Sequence, residues 1–294
     1  KIANHFDIDH NISYFEIYLQ ELPKPISITG MPFWDIHWYY VAQTAYKKSS
    51  YLASGDGGDE LFGGYTFRYK KFLSLITSNS TPIEKVEAYI QCHERDHVPD
   101  QQNIFGKNLS FSWKDYFKFL LPYFENNLSL LDQLFLADYN GKLLYNFSIV
   151  NNSINNFFNI KSITPLLNPS FLKSTSHLLN SEKYNVQKNL GKLPLRNILQ
   201  KSNVYKLLNP KKLGFSVNTQ NLWKNYGQKI CSYFLSDSEI VKENFVNNDW
   251  IQKYLNQDDL DVRYVNKLLG LLACEIWYRI FITKTMKSDE QLIF

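Results

Sequence analysis

The sequence predicts an α/β fold: the tail of a partial parallel sheet near the amino terminus, followed by a mostly helical region. Three observations carry that expectation. The apolar Tyr51-Leu52-Ala53 opens directly into a glycine-rich run, as at the buried carboxyl end of a strand. Just upstream, Trp38, Val41, Ala42 and Ala45 recur at helical spacing within Asp35 to Lys48. Beyond Tyr69 the alternating signal fades, and three-and-four spacing takes over.

In chain order, Asn11 to Leu19 gives mixed signals, and the helix of 35–48 leads into the strand at Tyr51. Pro82 starts a helix carrying Ile83, Val86, Ala88 and Tyr89, and segments 115–124, 129–147 and 262–285 are helical by the same pattern. Segments 100–112 and 149–170, rich in Asn and Ser, read as long connections. Two units are expected, residues 1–70 and residues 71–294.

The run from Ser54 to Tyr65 carries the chemistry. Gly55, Gly57 and Gly58 let the backbone turn sharply and approach a ligand with no Cβ in the way. Asp56, Asp59 and Glu60 crowd negative charge at a strand's carboxyl end, where open α/β sheets bind ligands and hard cations take oxygen ligands. The alternatives are a plain acidic turn or a calcium loop. The calcium spacing fails, because no Glu closes a twelve-residue loop and a second glycine pair, Gly63 and Gly64, follows instead.

Ser54-Gly55-Asp56-Gly57-Gly58-Asp59-Glu60-Leu61-Phe62-Gly63-Gly64-Tyr65 resembles the signature of the asparagine synthetase family's synthetase domain. Upstream, Leu22-Pro23, Met31-Pro32-Phe33-Trp34-Asp35 and the stretch Ile36 to Tyr46 resemble the lead-in. Downstream, Lys192-Leu193-Pro194-Leu195-Arg196 resembles the family's Lys-x-x-Leu-Arg, and Lys212-Leu213-Gly214-Phe215 its Lys-x-Gly-Phe. Leu268 to Phe281, with Trp277, resembles its closing helix.

The resemblance implies a PP-loop ATPase-like nucleotide-binding domain, of which residues 1–70 are the carboxyl-terminal part, then the helical part of the synthetase domain over 71–294. Members use ATP and Mg2+ to adenylate a carboxylate, releasing pyrophosphate, and an amine then attacks the acyl-adenylate. Ser54 and Gly55 fall where the family's backbone meets the AMP moiety, with Gly57 counted beside them. Asp59 falls at a Mg2+ ligand. Asp56 falls at an acid that aids adenylation or activates the nucleophile, where lactam-forming relatives carry Tyr. Lys212 matches a lysine that neutralises phosphates and the tetrahedral intermediate. Pro194 suits a first helical position and puts Arg196 in the opening turn, as a structural ion pair or a phosphate contact.

Two departures qualify the resemblance. The family's pyrophosphate loop, Ser-Gly-Gly-x-Asp-Ser, is absent from the sequence, as is an amino-terminal catalytic cysteine for glutamine hydrolysis. The chain is therefore expected to be a fragment, inactive alone, with the glutaminase part and first strands upstream. Between Asn152 and Asn168, every acid of the family pattern has gone: Asn152, Asn155, Asn156, Lys161 and Ile163 stand in place of Asp, Ser, Met, Glu and Arg. An amide cannot act as a base near neutral pH, which leaves Asp56 as the base, a divergent ligase with another substrate, or a non-catalytic remnant. Lasso-peptide cyclases and β-lactam synthetases are the related amide-forming alternatives.

The substrates expected from the resemblance are aspartate or another carboxylate, and ammonia from glutamine, with a homodimer left open. Composition narrows the classes. A chain of 294 residues, 44% apolar and 16% aromatic, can bury a substantial core. A net charge of +4 with interleaved signs gives no case for nucleic acid. No apolar run reaches the roughly 20 residues of a membrane helix. Three scattered cysteines, Cys92, Cys231 and Cys274, suggest reduced thiols and a cytoplasmic location. Cys92-His93 with His97 places a thiol and imidazoles within about a turn, yet a fourth zinc ligand is missing and a solvated helix end is preferred.

Overall fold

The computed structural model describes residues 1–93, 97–207, 217–257 and 259–293. It is α/β and mostly helical, 59% of residues, with a small parallel sheet. Strand β1, Tyr51–Ala53, pairs in parallel with β2, Lys161–Ile163, in the register Tyr51 with Lys161, Leu52 with Ser162 and Ala53 with Ile163. A second sheet is a short antiparallel pair, β3 (Tyr184–Asn185) and β4 (Leu190–Gly191).

The larger core is organised by the helix Val262–Phe281, whose Val265, Leu268, Leu269, Leu272, Ala273 and Ile276 are all fully buried. That three-and-four stripe is the periodicity visible in the sequence. Asp261 starts the helix by accepting from the Arg263 N–H at 2.8 Å. Its one buried carboxylate, Glu275, accepts from Ser238 Oγ at 2.7 Å and from the backbone N–H groups of Glu239 and Ile240, and Arg279 donates to it. Those bonds offset the cost of burying a charge. Helices Pro23–Thr29, His37–Ala45, Ser148–Phe157 and Gln228–Ser236 pack into the same core.

The smaller core joins helices Thr66–Leu75, Pro82–Gln91, Trp113–Phe124 and Leu130–Ala137 around Tyr69, Phe72, Phe124 and Leu134. Pro82 opens its helix as expected, behind Thr81, which accepts from Glu84 N while the Glu84 carboxylate accepts from Thr81 N, a capping box.

Three expectations are corrected. Segment 149–170 is no connection: it holds the helix Ser148–Phe157, β2 and a short turn at Pro165–Leu167. Asn155 is buried and Asn151 half-buried, each with a hydrogen-bond partner, so part of the polarity that read as a connection lies on the helix's inner face. β1 is not buried, since Tyr51 and Ala53 are exposed and only Leu52 turns inward. Among the described residues the strand has one neighbouring strand, and only its Leu52 face packs on the core, whereas parallel sheets are usually covered on both faces. Cys92 is not at a solvated helix end but buried in the smaller core; burial also pushes the neighbouring His93 imidazole down to about 3, and its Nδ1 donates to Tyr89 O at 2.9 Å.

Candidate active site

β1 delivers the glycine-rich run to one end of the small sheet. Ser54 N donates to Ile163 O at 3.0 Å, extending the ladder by one residue. Beyond it the chain turns through Gly57, whose φ of +86° suits glycine, and a Cβ there would also overlap Leu167. Gly55 is exposed with open space around it. The short helix Gly58–Phe62 follows and ends at Gly63, again left-handed at φ +67°.

Asp56 lines a small pocket of about 50 Å³, half polar and half apolar, with Ser54, Asn151, Asn152, Asn155 and Ser162 beside Trp38, Leu52 and Leu167. Asn151 Nδ2 donates to Asp56 Oδ2 at 3.2 Å. Ser54 Oγ is buried on the same pocket without a hydrogen-bond partner, an unmet polar atom of the kind a ligand satisfies.

Asp59 lies on the next turn, its Oδ1 3.1 Å from Lys192 Nζ. The two side chains are 26% and 32% exposed, so the cluster is not sealed in apolar packing. Two glycines make this pair. A Cβ on Gly64 would overlap Asp59 Oδ1 and the Lys192 stem, and a Cβ on Gly191 would overlap the Gly63 carbonyl. Gly191 therefore lets β4 close on the signature loop, Lys192 N donates to Phe62 O at 2.7 Å, and Lys192, at φ +58°, turns its ammonium to Asp59. Arg196 secures the same turn, its Nε donating to Gly191 O at 2.8 Å.

Glu60 points the other way. It is 4% exposed, it accepts from Tyr65 OH at 2.6 Å, and desolvation raises its carboxyl above the usual range. Lys142 Nζ stands 4.0 Å from the centre of the Tyr65 ring, a cation–π contact. Burial, reinforced by Arg68, pushes the Lys142 ammonium down to about 8, against the pull of Asp138, Glu60 and Asp59. Behind it Arg68 pairs with the fully buried Asp138, which also accepts from Tyr89 OH at 2.9 Å.

The structure thus sets Ser54, Gly55, Asp56 and Gly57 on one loop and Asp59 in the first turn of the helix that follows, with Arg196 behind the turn that carries Lys192. Lys212 lies outside the described residues. Lys161 is exposed over the Tyr51 ring, its Nζ 5.7 Å from the centroid, and does not line the pocket. Lys142 gave no signal in the sequence, because it sits on the π-helical stretch Asp138–Phe147, where a 3.6-residue reading assigns the wrong face. Lys192 was visible only as a motif residue, without a partner.

For a magnesium ion the donor set fits. Mg2+ is held by one or two carboxylates plus phosphate oxygens, and Asp59 offers a partly exposed carboxylate with a phosphate-compatible ammonium beside it. Among the described residues no three His, Cys, Asp or Glu side chains gather as a self-sufficient metal cage. No described helix is long and apolar enough to cross a membrane.

The asparagine synthase family model matches residues 1–279. Asparagine synthetase [glutamine-hydrolyzing] 1 of Bacillus subtilis (strain 168) is 24% identical over 308 residues, covering 94% of this chain and 48% of the relative. The chain therefore spans about half the length of the curated relative it matches. No solved structure matches the chain.

Proposed function

Because the chain belongs to the asparagine synthase family, we propose that it is the synthetase portion of an ATP-dependent amide ligase. One observation carries the reading: two motifs far apart in sequence, the run of residues 54–65 at Asp59 and the turn of Lys192, meet at 3.1 Å, three residues beyond the Asp56 that lines the small pocket.

ATP enters as a co-substrate. A carboxylate oxygen of the acyl substrate attacks the α-phosphorus, the bond to the β-phosphate breaks, and pyrophosphate leaves. An amine then adds to the acyl carbon, AMP leaves with the bonding pair, and one proton comes off the nitrogen. Ser54, Gly55 and Gly57 form the glycine-lined wall against the AMP moiety. Asp56, the carboxylate on the pocket, takes the amine proton. Asp59 holds Mg2+, which supplies charge neutralisation on the phosphates when bound. Lys192 turns from Asp59 toward phosphate oxygens, Arg196 keeps the Gly191 turn in place with its terminal nitrogens left for a phosphate, and Lys212 supplies a further cation. Aspartate with ammonia is the first substrate pair, glutamine being the ammonia source of the whole protein.

A second reading, a peptide-cyclising or lactam-forming ligase, is favoured by the amide-rich wall of Asn151, Asn152 and Asn155. The test covers both. The full-length gene product is given Mg-ATP, ammonium and a panel of carboxylates, aspartate and peptides included, and pyrophosphate release is measured. Asp59→Asn is expected to lower that release by about a hundredfold or more, since it removes a charged ligand where charge develops. An unchanged rate in Asp59→Asn refutes the metal assignment.

A further inference from the structure

The hydrogen-bond polarity of the Asp56 pocket can be traced from one fixed end. The Trp38 indole N–H can only donate, and it donates to Asn155 Oδ1 at 3.0 Å. That sets the Asn155 amide with Nδ2 on its far side, donating to Ser162 Oγ at 2.8 Å. Asn155 is 2% exposed, so neither end of the amide turns to bulk water without leaving a buried group unpaired. Having accepted there, Ser162 Oγ donates its own hydrogen to Asn152 Oδ1 at 3.3 Å. The Asn152 oxygen is thereby engaged, and its Nδ2 is the end left to the pocket. Ser54 Oγ, buried and without a partner, lies on the same pocket.

Resting on the amide-ligase reading, we infer that Asn152 is a catalytic residue, donating an N–H to an oxygen of the substrate's reacting carboxyl group, with the Ser54 hydroxyl as a second donor. As the amine nitrogen adds to the acyl carbon, the carbonyl π pair moves onto oxygen. That oxygen gains negative charge facing the two donors. Collapse restores the carbonyl and expels AMP with its bonding pair, while the amine proton passes to Asp56, steadied by Asn151. The chain Trp38, Asn155 and Ser162 is the positioning set that keeps the amide nitrogen outward.

The decisive variants are Asn152→Asp, nearly isosteric with reversed polarity, and Asn152→Ala, which removes the donor. Both are made in the full-length gene product, with Mg-ATP, ammonium and the carboxylate that gives the wild type its highest pyrophosphate release. Amide-forming kcat is expected to fall about a hundredfold in each, with the KM for ATP within about twofold and the melting midpoint unchanged. Asn155→Asp, which captures the Ser162 hydroxyl and frees the Asn152 amide to rotate, is expected to lose less. If Asn152→Asp matches or exceeds the wild type, or if the loss falls on the KM for ATP instead of kcat, the inference is overturned while the ligase reading stands. If Asn152→Asp fails to fold, Asn152→Ala decides by the same criteria. A wild-type protein that releases no pyrophosphate with any carboxylate overturns both.

Discussion

Lys142 shows how one side chain responds to its surroundings. An ammonium over the Tyr65 ring gains a cation–π contact worth about 0.5–2 kcal/mol, but burial and the Arg68 charge push its pKa down to about 8. The unfolded chain holds that proton to roughly pH 10, so between about 8 and 10 the unfolded state binds more protons than the native one, and this group's contribution to stability rises with pH. Lys142→Met, which keeps the stem and removes the charge, should therefore gain on the wild type near neutral pH. That advantage should shrink by about 1–3 kcal/mol as the pH approaches 10. Urea denaturation of both proteins across this range is the measurement, and a difference independent of pH would show that the charge contributes nothing. Asp59 and Lys192 lie at the other extreme. A partly exposed pair is worth about 0–1 kcal/mol, so an incoming metal–phosphate group displaces it at little cost. Asp59 was legible because glycines and acids cluster around it; Lys142 was not, because nothing near it in sequence encodes Tyr65 beneath its ammonium.

Glycines explain the same site at the scale of elements. Gly57 and Gly63 supply left-handed turns at the two ends of the helix Gly58–Phe62, whereas Gly64 and Gly191 are small because other chain segments occupy the space a Cβ would fill. Gly64→Ala must push apart Asp59 and Lys192, and the least costly relief is rotation of the partly exposed lysine stem. Stability should fall by about 1–2 kcal/mol, within the ordinary range for overpacking, while pyrophosphate release falls by at least tenfold. Calorimetry beside the rate assay separates the two; full activity with lowered stability would make Gly64 a packing residue alone. A sequence reads a glycine's conformational freedom but not the neighbour that forbids a side chain, so the closure of β4 on the signature loop was out of reach. The helices were legible where one apolar face dominates, as in Pro82–Gln91 and Val262–Phe281. Ser148–Phe157 was missed because its inward Asn155 meets Trp38 and Ser162 instead of apolar side chains.

Across the whole molecule, the two cores leave the amino-terminal stretch largely outside. Ile8 is 59% exposed, Ile12 60% and Tyr14 87%, and the next residue, Phe15, lines a groove of about 490 Å³ together with Tyr18, Tyr40 and Val41. The helical spacing beyond Tyr69 was legible from periodicity, but the strand Lys161–Ile163 inside that stretch, which completes the parallel pair with Tyr51–Ala53, was not. Nor was the poor cover of this end, because an apolar residue in sequence carries no sign of whether anything packs on it. Contiguous apolar surface beyond a few hundred Å² drives association in water. The 294-residue chain alone should therefore self-associate across micromolar concentrations, with a weight-average mass that climbs in sedimentation velocity runs. Ile8→Asp combined with Ile12→Asp should suppress the climb without moving the melting midpoint by more than about 1 kcal/mol equivalent, because exposed side chains contribute little to the fold. If the unaltered chain sediments as a single monomeric species throughout that range, the groove and the amino-terminal apolar side chains do not act as one sticky surface, and their exposure has no consequence for assembly.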